Sequence, residues 1–482
     1  MAFILEYRGL SRTLPARDDI IATPLHRSAA RLTSGVALIL AAAAFRPAVA
    51  TSDFLADIVG ESSSGLGAAL RIEQSLYRGD GVRLDLLPVY LYEGEHLYLH
   101  SNRLGLKFNP DPRWRVDVFV SRRLESTPVD SIPSSLAGMT TRTTESEAGF
   151  SIEQRFGRGR LFLEYLRDTS HTSGGSEVKL GLSGETGRGG LRLIPYVTVS
   201  GRDAKLNNYY YGVTAAEATP ERAAYSAGGG VNASLGVNAR YDLTPHWHLL
   251  AGLSATYWAS EVRNSPIVDI RGAQLAGFGG LAYEFEPSPP RQWDASTPLY
   301  VKILYGEAST CNLLPIVEAR CATIATTPRT AIAAIELGVP FLERPDWSLV
   351  GYVGLLRHDE RDLQPDFWQV NAYMKVFYWG FPWSHSVRTR VGLGGGLSYA
   401  QAVPFTEETS QGQRGRNTSK LLQYLDPTID VSVGDLFGSK KLHETYFGFG
   451  VSHRSGFFGM AQLYDNVNGG SNYVYTYIEW RM

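Results

Sequence analysis

A histidine and a serine two residues apart, close to the C-terminus, are the side chains best suited to chemistry in this sequence. They occur as His453 and Ser455 in the stretch FGFGVSHRSGFFG. A serine hydroxyl becomes a nucleophile when a histidine removes its proton and a third group orients the imidazole. The i, i+2 spacing puts both side chains on one face of a β-strand. The pair therefore indicates acyl transfer, with Ser455 as nucleophile and His453 as base.

The third group is predicted on the next strand of the chain. Residues 445–458 and 471–482 alternate in polarity, and by this count Asn472 shares the apolar face of the last strand. His453 and Ser455 likewise share the apolar face of the strand before it. Burying a polar group in hydrocarbon without a partner costs about 2–7 kcal/mol. Three such groups on one lipid-facing surface predict mutual hydrogen bonding and a substrate that is itself a lipid, with Asn472 orienting His453.

The elements that carry these residues read as transmembrane β-strands. From about residue 61, segments of roughly ten residues alternate between apolar and polar positions, as in WRVDVFV from Trp114 to Val120. The chain holds 26 Tyr, 20 Phe and 50 Gly. A soluble β-sandwich alternates too, but charged positions on one face and aromatics near strand ends favour an antiparallel barrel in a membrane. The predicted fold class is all-β, with transmembrane antiparallel barrels.

A proline-rich break divides the chain into two predicted barrels. The stretch EFEPSPPRQWDASTP cannot lie inside a sheet ladder, so residues 286–297 are predicted as a linker. Residues 61–285 have room for roughly 10–12 strands. Residues 298–482 divide into eight strands, near 298–307, 328–340, 346–357, 366–379, 386–400, 420–436, 445–458 and 471–482. A single barrel of some 18–20 strands is the architectural alternative.

The N-terminus and the cysteines predict export. Residues 1–50 combine basic residues, the apolar run GVALILAAAAF and an Ala-x-Ala site, which is typical of a signal peptide. Cys311 and Cys321 are then expected to pair as a disulfide, because exported proteins reach an oxidising compartment. The net charge of −2 gives no indication of a nucleic-acid partner.

The connections between the last eight strands predict which end faces outward. Those around 308–327, 401–419 and 459–470 are long and the others are short, and long loops lie on the outer side of such barrels. Asn472 begins the last strand at that outer end, near His453 and Ser455. The three residues are therefore expected to meet the outer leaflet, where lipopolysaccharide lies, in the cell outer membrane of a Gram-negative bacterium.

The first predicted barrel resembles the MipA/OmpV family of outer-membrane proteins. Four stretches carry the resemblance: LLPVYLYEGEHLYLHSNRLGLKF (Leu86–Phe108), NYYYGVTAAEA (Asn208–Ala218), YDLTPHWHLLAGLSATYWASEVRNSPIV (Tyr241–Val268) and GLAYEF (Gly280–Phe285). The resemblance implies a scaffold or envelope-integrity role linked to the murein machinery, with a murein hydrolase and a peptidoglycan synthase as partners. Adhesion or small-molecule passage is a further alternative. Passage requires an open lumen, which the inward-facing charges Arg115 and Asp117 permit.

The second predicted barrel resembles the PagL-type lipid A deacylases, which are eight-stranded barrels with a His-x-Ser motif on the lipid-facing surface. SHRSG supplies His453 and Ser455, and NGGSN is similar to the family's Asn-x-Gly-x-Glu, so that Asn472 stands where a Glu is usual. The resemblance implies ester hydrolysis of lipid A. The sequence departs from the family at Asn472, which carries no charge, and at Gly456, which replaces an Asn. A polar pair in the headgroup zone, without activity, is the alternative.

Other candidate motifs point to structure. His246 and His248 lie on one strand face without a third ligand, and a periplasmic turn with Trp247 in the aromatic belt explains them. The glycine-rich stretch Gly392–Ala400 lacks the strand-to-helix context of a phosphate site and is explained by close packing. No cofactor or metal is predicted.

Overall fold

The computed structural model describes residues 64–127, 132–285, 297–321 and 329–482. The predicted signal peptide and, apart from Thr297, the predicted linker lie outside these residues. Among the described residues, no helix combines the length and apolar character needed to cross a bilayer.

The first barrel is an antiparallel sheet that closes where β1 pairs with β13 and β10 pairs with β11. Twelve strands form its wall, and the short β9 continues the line of β8 beside β10. The strands are β1 Ser64–Gln74, β2 Val82–Glu93, β3 Leu97–His100, β4 Arg103–Asp111, β5 Trp114–Arg123, β6 Glu145–Phe156, β7 Gly159–Asp168, β8 Ser176–Gly184, β9 Thr186–Arg188, β10 Leu191–Arg202, β11 Gly230–Asp242, β12 Trp247–Tyr257 and β13 Gln274–Glu284.

The second barrel closes separately, with its eight strands in sequence order. They are β14 Tyr300–Ser309, β15 Ala331–Glu343, β16 Trp347–Asp359, β17 Phe367–Tyr378, β18 Thr389–Ala400, β19 Leu421–Ser432, β20 Thr445–Ser455 and β21 Gly470–Arg481. The prediction of two tandem barrels, the second of eight strands, is confirmed. The alternative of one large barrel is wrong, because each sheet closes on itself.

Within the described residues, five short α-helices lie in the connections. They are α1 Ala204–Tyr211, α2 Ser260–Arg263, α3 Leu313–Val317, α4 Phe405–Gly412 and α5 Val433–Phe437. α3 and α4 lie in two long connections of the second barrel, at the end where β20 finishes and β21 begins. α5 lies in the turn at the opposite end.

Alternation along the strands separates a lipid-facing surface from a polar lumen. In β20, Phe447 and Phe449 are about half exposed while their neighbours on the other face are buried. The lumen of the second barrel is filled by paired charges: Lys302 contacts Glu336 at 2.6 Å, Lys375 contacts Asp426 at 2.5 Å, and Arg390 contacts Asp430 at 2.8 Å and Glu479 at 2.7 Å. These buried ion pairs link strands to one another across the lumen. The second barrel is thus a solid support for groups on its outer surface.

The first barrel is covered at its long-loop end by a lid with its own apolar core. Its buried members come from four connections and include Leu76, Tyr77, Leu136, Leu206, Tyr210, Tyr211, Val213, Trp258, Val262 and Ile267. Arg142 and Glu217 pair within the lid at 2.9 Å.

The lumen of the first barrel contains paired charges and cavities. The inward charges Arg115 and Asp117 pair with each other at 2.8 Å. Two cavities of about 320 and 310 Å³ lie in the lumen.

Candidate functional site

The ladder between the last two strands brings the predicted base and its orienting group together. His453 of β20 is directly opposite Asn472 of β21. His453 Nδ1 and Asn472 Oδ1 are 2.6 Å apart, so the imidazole donates from Nδ1 to the amide oxygen. Nε2 is then the nitrogen left to act as a base, because a neutral imidazole carries only one proton. The arrangement fixes the tautomer that nucleophilic catalysis requires.

A second hydrogen bond fixes which way the Asn472 amide points. Its Nδ2 donates to the Cys311 carbonyl oxygen at 3.0 Å, which leaves Oδ1 for His453. Cys311 lies just after β14 and forms a disulfide with Cys321, across the connection that contains α3. Sequence reasoning had no signal for this contact, since it comes from a backbone carbonyl. A covalently closed loop therefore holds the orienting group.

Ser455 lies on the same face as His453, where β20 ends. Residues i and i+2 of a strand are roughly 6.6 Å apart along the chain. Among the described residues, His453 is hydrogen-bonded to Asn472 and not to Ser455. Phe457 and Phe458 follow at φ 48° and 59°. Bulky residues rarely adopt this left-handed conformation, and such strain concentrates at functional sites. The chain therefore turns sharply just beyond the serine.

Gly456 has a steric explanation. A Cβ atom at this position would overlap the Val467 carbonyl on the returning side of the same connection. Gly456 N donates to Gly469 O at 3.2 Å, which closes the base of this connection. The residue that departs from the deacylase pattern is thus required by close backbone approach.

The three residues open into one cavity of about 950 Å³ on the outside of the second barrel. Leu313, Leu314 and Pro315 from α3, together with Phe457 and Phe458, supply apolar lining. The site therefore differs from the expectation of a surface that faces bare lipid: His453, Ser455 and Asn472 are half-buried beneath the two long connections. Close packing of the disulfide-bonded connection against β20 is the physical reason, and Val451 on the same outward face is buried.

Positive charge lies at one side of this cavity. Arg414 and Arg416 follow α4 and line it, and Arg416 donates to the Asn468 carbonyl at 2.8 Å. On the inward side of α4, burial raises the pKa of Glu407, a shift opposed by Arg454 and by a hydrogen bond from Ser471. An apolar cavity with two arginines at its edge suits an anionic amphiphile.

The other sequence motifs stay outside this site. His248 contacts Asp242 at 2.7 Å and Glu284 at 2.9 Å, and His246 Nδ1 donates to the Glu284 carbonyl oxygen at 2.9 Å. These contacts tie β11, β12 and β13 together at the short-turn end of the first barrel.

Comparison with known proteins concerns the first barrel. Residues 66–285 match the family model described as MltA-interacting protein MipA. The matched segment spans this barrel from β1 to the end of β13.

Individual relatives match between about a third and a half of the chain. Outer membrane protein Omp26La of Vibrio anguillarum is 30% identical over 152 residues, which cover 32% of this chain and 59% of that protein. The putative outer membrane protein YiaT of Escherichia coli O157:H7 is 24% identical over 226 residues, or 46% of this chain and 92% of that protein. The MltA-interacting protein of Escherichia coli strain K12 is 25% identical over 246 residues, covering 49% of this chain and 95% of its own.

The matches and the fold together give the location. The relatives are named outer membrane proteins, and the chain folds as two antiparallel barrels. The protein is an outer-membrane β-barrel protein, and its first barrel is similar to the MipA family. Among solved structures, a bacterial polysaccharide outer membrane secretin aligns over 88% of this chain and 99% of its own at 9% identity, but its TM-score of 0.22 is too low to support any argument.

Proposed function

We propose that the second barrel is a serine ester hydrolase that acts on an acylated lipid of the outer leaflet, lipid A being the substrate class. The observation that carries the proposal is the chain of contacts from the Cys311 carbonyl through Asn472 to His453, in the cavity that also contains Ser455. The cavity lies on the outward side of the second barrel, which supports an ester that approaches Ser455 from the lipid.

The mechanism follows from the fixed tautomer. His453 Nε2 takes the proton of Ser455 while Oγ attacks the ester carbonyl, and the tetrahedral intermediate collapses to an acyl-enzyme. The alcohol leaves with that proton. Water then attacks the acyl-enzyme, His453 again takes and returns a proton, and a carboxylic acid leaves. Asn472 holds the imidazole throughout but cannot neutralise its positive charge, so we expect slower turnover than a carboxylate would support.

The cavity supports an amphiphile as substrate. Its apolar lining from α3, Phe457 and Phe458 suits an acyl chain, and Arg414 and Arg416 suit phosphate at the glycolipid headgroup. The cavity lies at the long-loop end of the barrel, and long loops lie on the outer side of such barrels, which supports a substrate in the outer leaflet.

Mass spectrometry of lipid A tests the proposal. Cells that make the unaltered chain should lose an ester-linked acyl chain from lipid A, whereas cells with Ser455→Ala should match cells without the protein. Ser439→Ala, in the turn at the opposite end of the second barrel, is the matched control and should behave as the unaltered chain. Identical lipid A in all four strains would refute the hydrolase.

A second candidate function is a scaffold for a murein hydrolase, and the match to the MltA-interacting protein over 95% of that protein's length favours it. Such a partner would meet the short turns of the first barrel, which face the periplasm. Three exposed arginines lie there, Arg113, Arg158 and Arg188.

Crosslinking tests the scaffold. A murein hydrolase should co-purify with the full chain, and reversing the three turn arginines to Glu should weaken the capture at least tenfold. Arg271→Glu, at the opposite mouth, is the control. Absence of any murein enzyme after crosslinking would contradict the scaffold.

A further inference from the structure

The wall of the first barrel has an open edge. β3 has only four residues and pairs with the last three residues of β2, Leu91 to Glu93, before the chain turns into β4. Tyr90 of β2 exchanges two hydrogen bonds with Ser101, which lies in the turn from β3 to β4. Beyond it, residues 82–89 of β2 meet no strand on that side within the described part of the chain. Pro88, which has no N–H to pair, lies in this edge, as expected for an edge strand.

A connection of the second barrel occupies the edge. We call residues 456–469, which join β20 to β21, the bridging loop. Leu86 N donates to Met460 O at 2.8 Å, so the loop takes the place of a missing strand. Asp85 accepts from Gln462 N at 2.7 Å, and the Gln462 side chain passes inward, where it accepts from Arg71 and donates to Ser126 at 2.8 Å.

Asp465 of the bridging loop contacts residues of both barrels. Asp465 contacts Arg122 of the first barrel at 2.5 Å and accepts from the Thr144 hydroxyl. From the second barrel, Ser419 donates to it at 2.6 Å. The Arg122 and Asp465 side chains are mostly buried. Charge-assisted hydrogen bonds of this kind are stronger than neutral ones.

Apolar packing completes the junction. Ala461, Leu463, Tyr464 and Val467 are fully buried, and Leu124 of the first barrel packs against their cluster. The Tyr464 and Tyr90 hydroxyls are 3.2 Å apart. The bridging loop therefore has many fixed points, most of them on the first barrel.

The ends of this loop are the candidate site. Ser455 immediately precedes it, Asn472 is the third residue after it, and Phe457 and Phe458 within it line the cavity. We infer that the first barrel holds the bridging loop so that Ser455 and Asn472 keep their positions relative to His453; Arg122 and Asp465 are positioning residues for the reaction. The inference rests on the proposed hydrolase and gives the first barrel an intramolecular role in this chain.

Arg122→Ala in the purified full chain is the test, with hydrolysis of a soluble p-nitrophenyl ester as the first readout. A displacement of about 1 Å at a reacting group costs roughly 100-fold in rate, so we expect kcat to fall about 10- to 100-fold with less than a threefold change in KM. Arg122→Lys keeps the charge and should restore most of the rate. Gln462→Ala removes a different contact of the same loop and should also lower kcat.

Hydrogen exchange of the bridging-loop amides is the second readout. Exchange should accelerate in Arg122→Ala and stay unchanged in Arg142→Ala, which breaks an ion pair of the lid that does not touch the loop. Heat-modifiable migration on gels verifies that each variant is folded.

The outcomes separate the two proposals. Faster exchange with unchanged kcat would mean that the junction only ties the barrels together, and it would overturn the inference while the hydrolase stands. Unchanged exchange and unchanged kcat would overturn it as well. An unaltered chain that hydrolyses no ester would refute the hydrolase, and the inferred role of the loop with it.

Discussion

Replacing Asn472 by Asp is the sharpest perturbation of the site, because it adds a charge beside His453 and removes a donor from the Cys311 carbonyl. Asn472 Oδ1 lies 2.6 Å from His453 Nδ1, so a carboxylate there would be centred about 4 Å from the imidazolium that forms in the transition state. At an effective dielectric constant of about 20, this attraction is worth about 4 kcal/mol.

The opposing cost comes from the other side of the residue. Asn472 Nδ2 donates to Cys311 O at 3.0 Å, and Asp would place two acceptors against each other. Losing that bond costs about 1–3 kcal/mol. The net gain of about 1–3 kcal/mol predicts a kcat roughly 5- to 160-fold higher, at 1.36 kcal/mol per factor of ten.

Initial rates of p-nitrophenyl ester hydrolysis by the purified chain measure this effect. Asn468→Asp adds a charge four residues away and controls for a general electrostatic effect; it should change kcat less than twofold. In a Cys321→Ser background the Cys311 carbonyl can recede, so the gain from Asn472→Asp should be larger there, a non-additivity that a double-mutant cycle detects. An Asp variant no faster than the Asn form would refute the account of how His453 is oriented.

Three further predictions follow from other contacts. Cys321→Ser alone should lower kcat about 3- to 10-fold, because the loop that holds Asn472 is no longer closed by the disulfide. Ester hydrolysis measures the rate, and heat-modifiable migration on gels verifies that the barrel is folded. Equal rates of the variant and the unaltered chain would contradict this prediction. Gly456→Ala should lower kcat at least tenfold, because the new methyl group displaces Val467 and with it the bridging loop; a fully active variant would show that the loop yields freely. Burial acts to raise the pKa of Glu217, but hydrogen bonds from Arg142 and from backbone N–H groups outweigh it and lower the pKa to about 2. A lowered pKa stabilises the lid above about pH 4.5 and loses that contribution as the pH falls towards 2, so exchange of lid amides should accelerate in that window, and Glu217→Gln should remove the pH dependence.

Much of the fold was predictable because lipid imposes strict alternation on a strand. The outward placement of His453, Ser455 and Asn472 follows from period-2 counting, and their proximity follows from the antiparallel pairing of consecutive strands. Two cysteines ten positions apart in one connection, Cys311 and Cys321, were enough to expect a disulfide.

The connections could not be predicted in the same way, because loops carry no period. Nothing local in Gln462 or Asp465 indicates partners in a barrel more than 300 residues earlier, and the lid core is assembled from isolated apolar residues of four loops. Pro88 was the one local signal of an edge strand, and its partner could be found only in three dimensions.

The open edge of β2 also bears on biogenesis. A bilayer cannot satisfy unpaired backbone groups. The bridging loop, which supplies the partner of Leu86, is synthesised long after β2: Tyr464 of the loop and its partner Tyr90 of β2 are 374 residues apart in the chain. The first barrel therefore cannot reach its final state in the membrane until the last hairpin of the second has formed. Each sheet closes on itself, but the outer-membrane insertion machinery must insert the two barrels together as one unit.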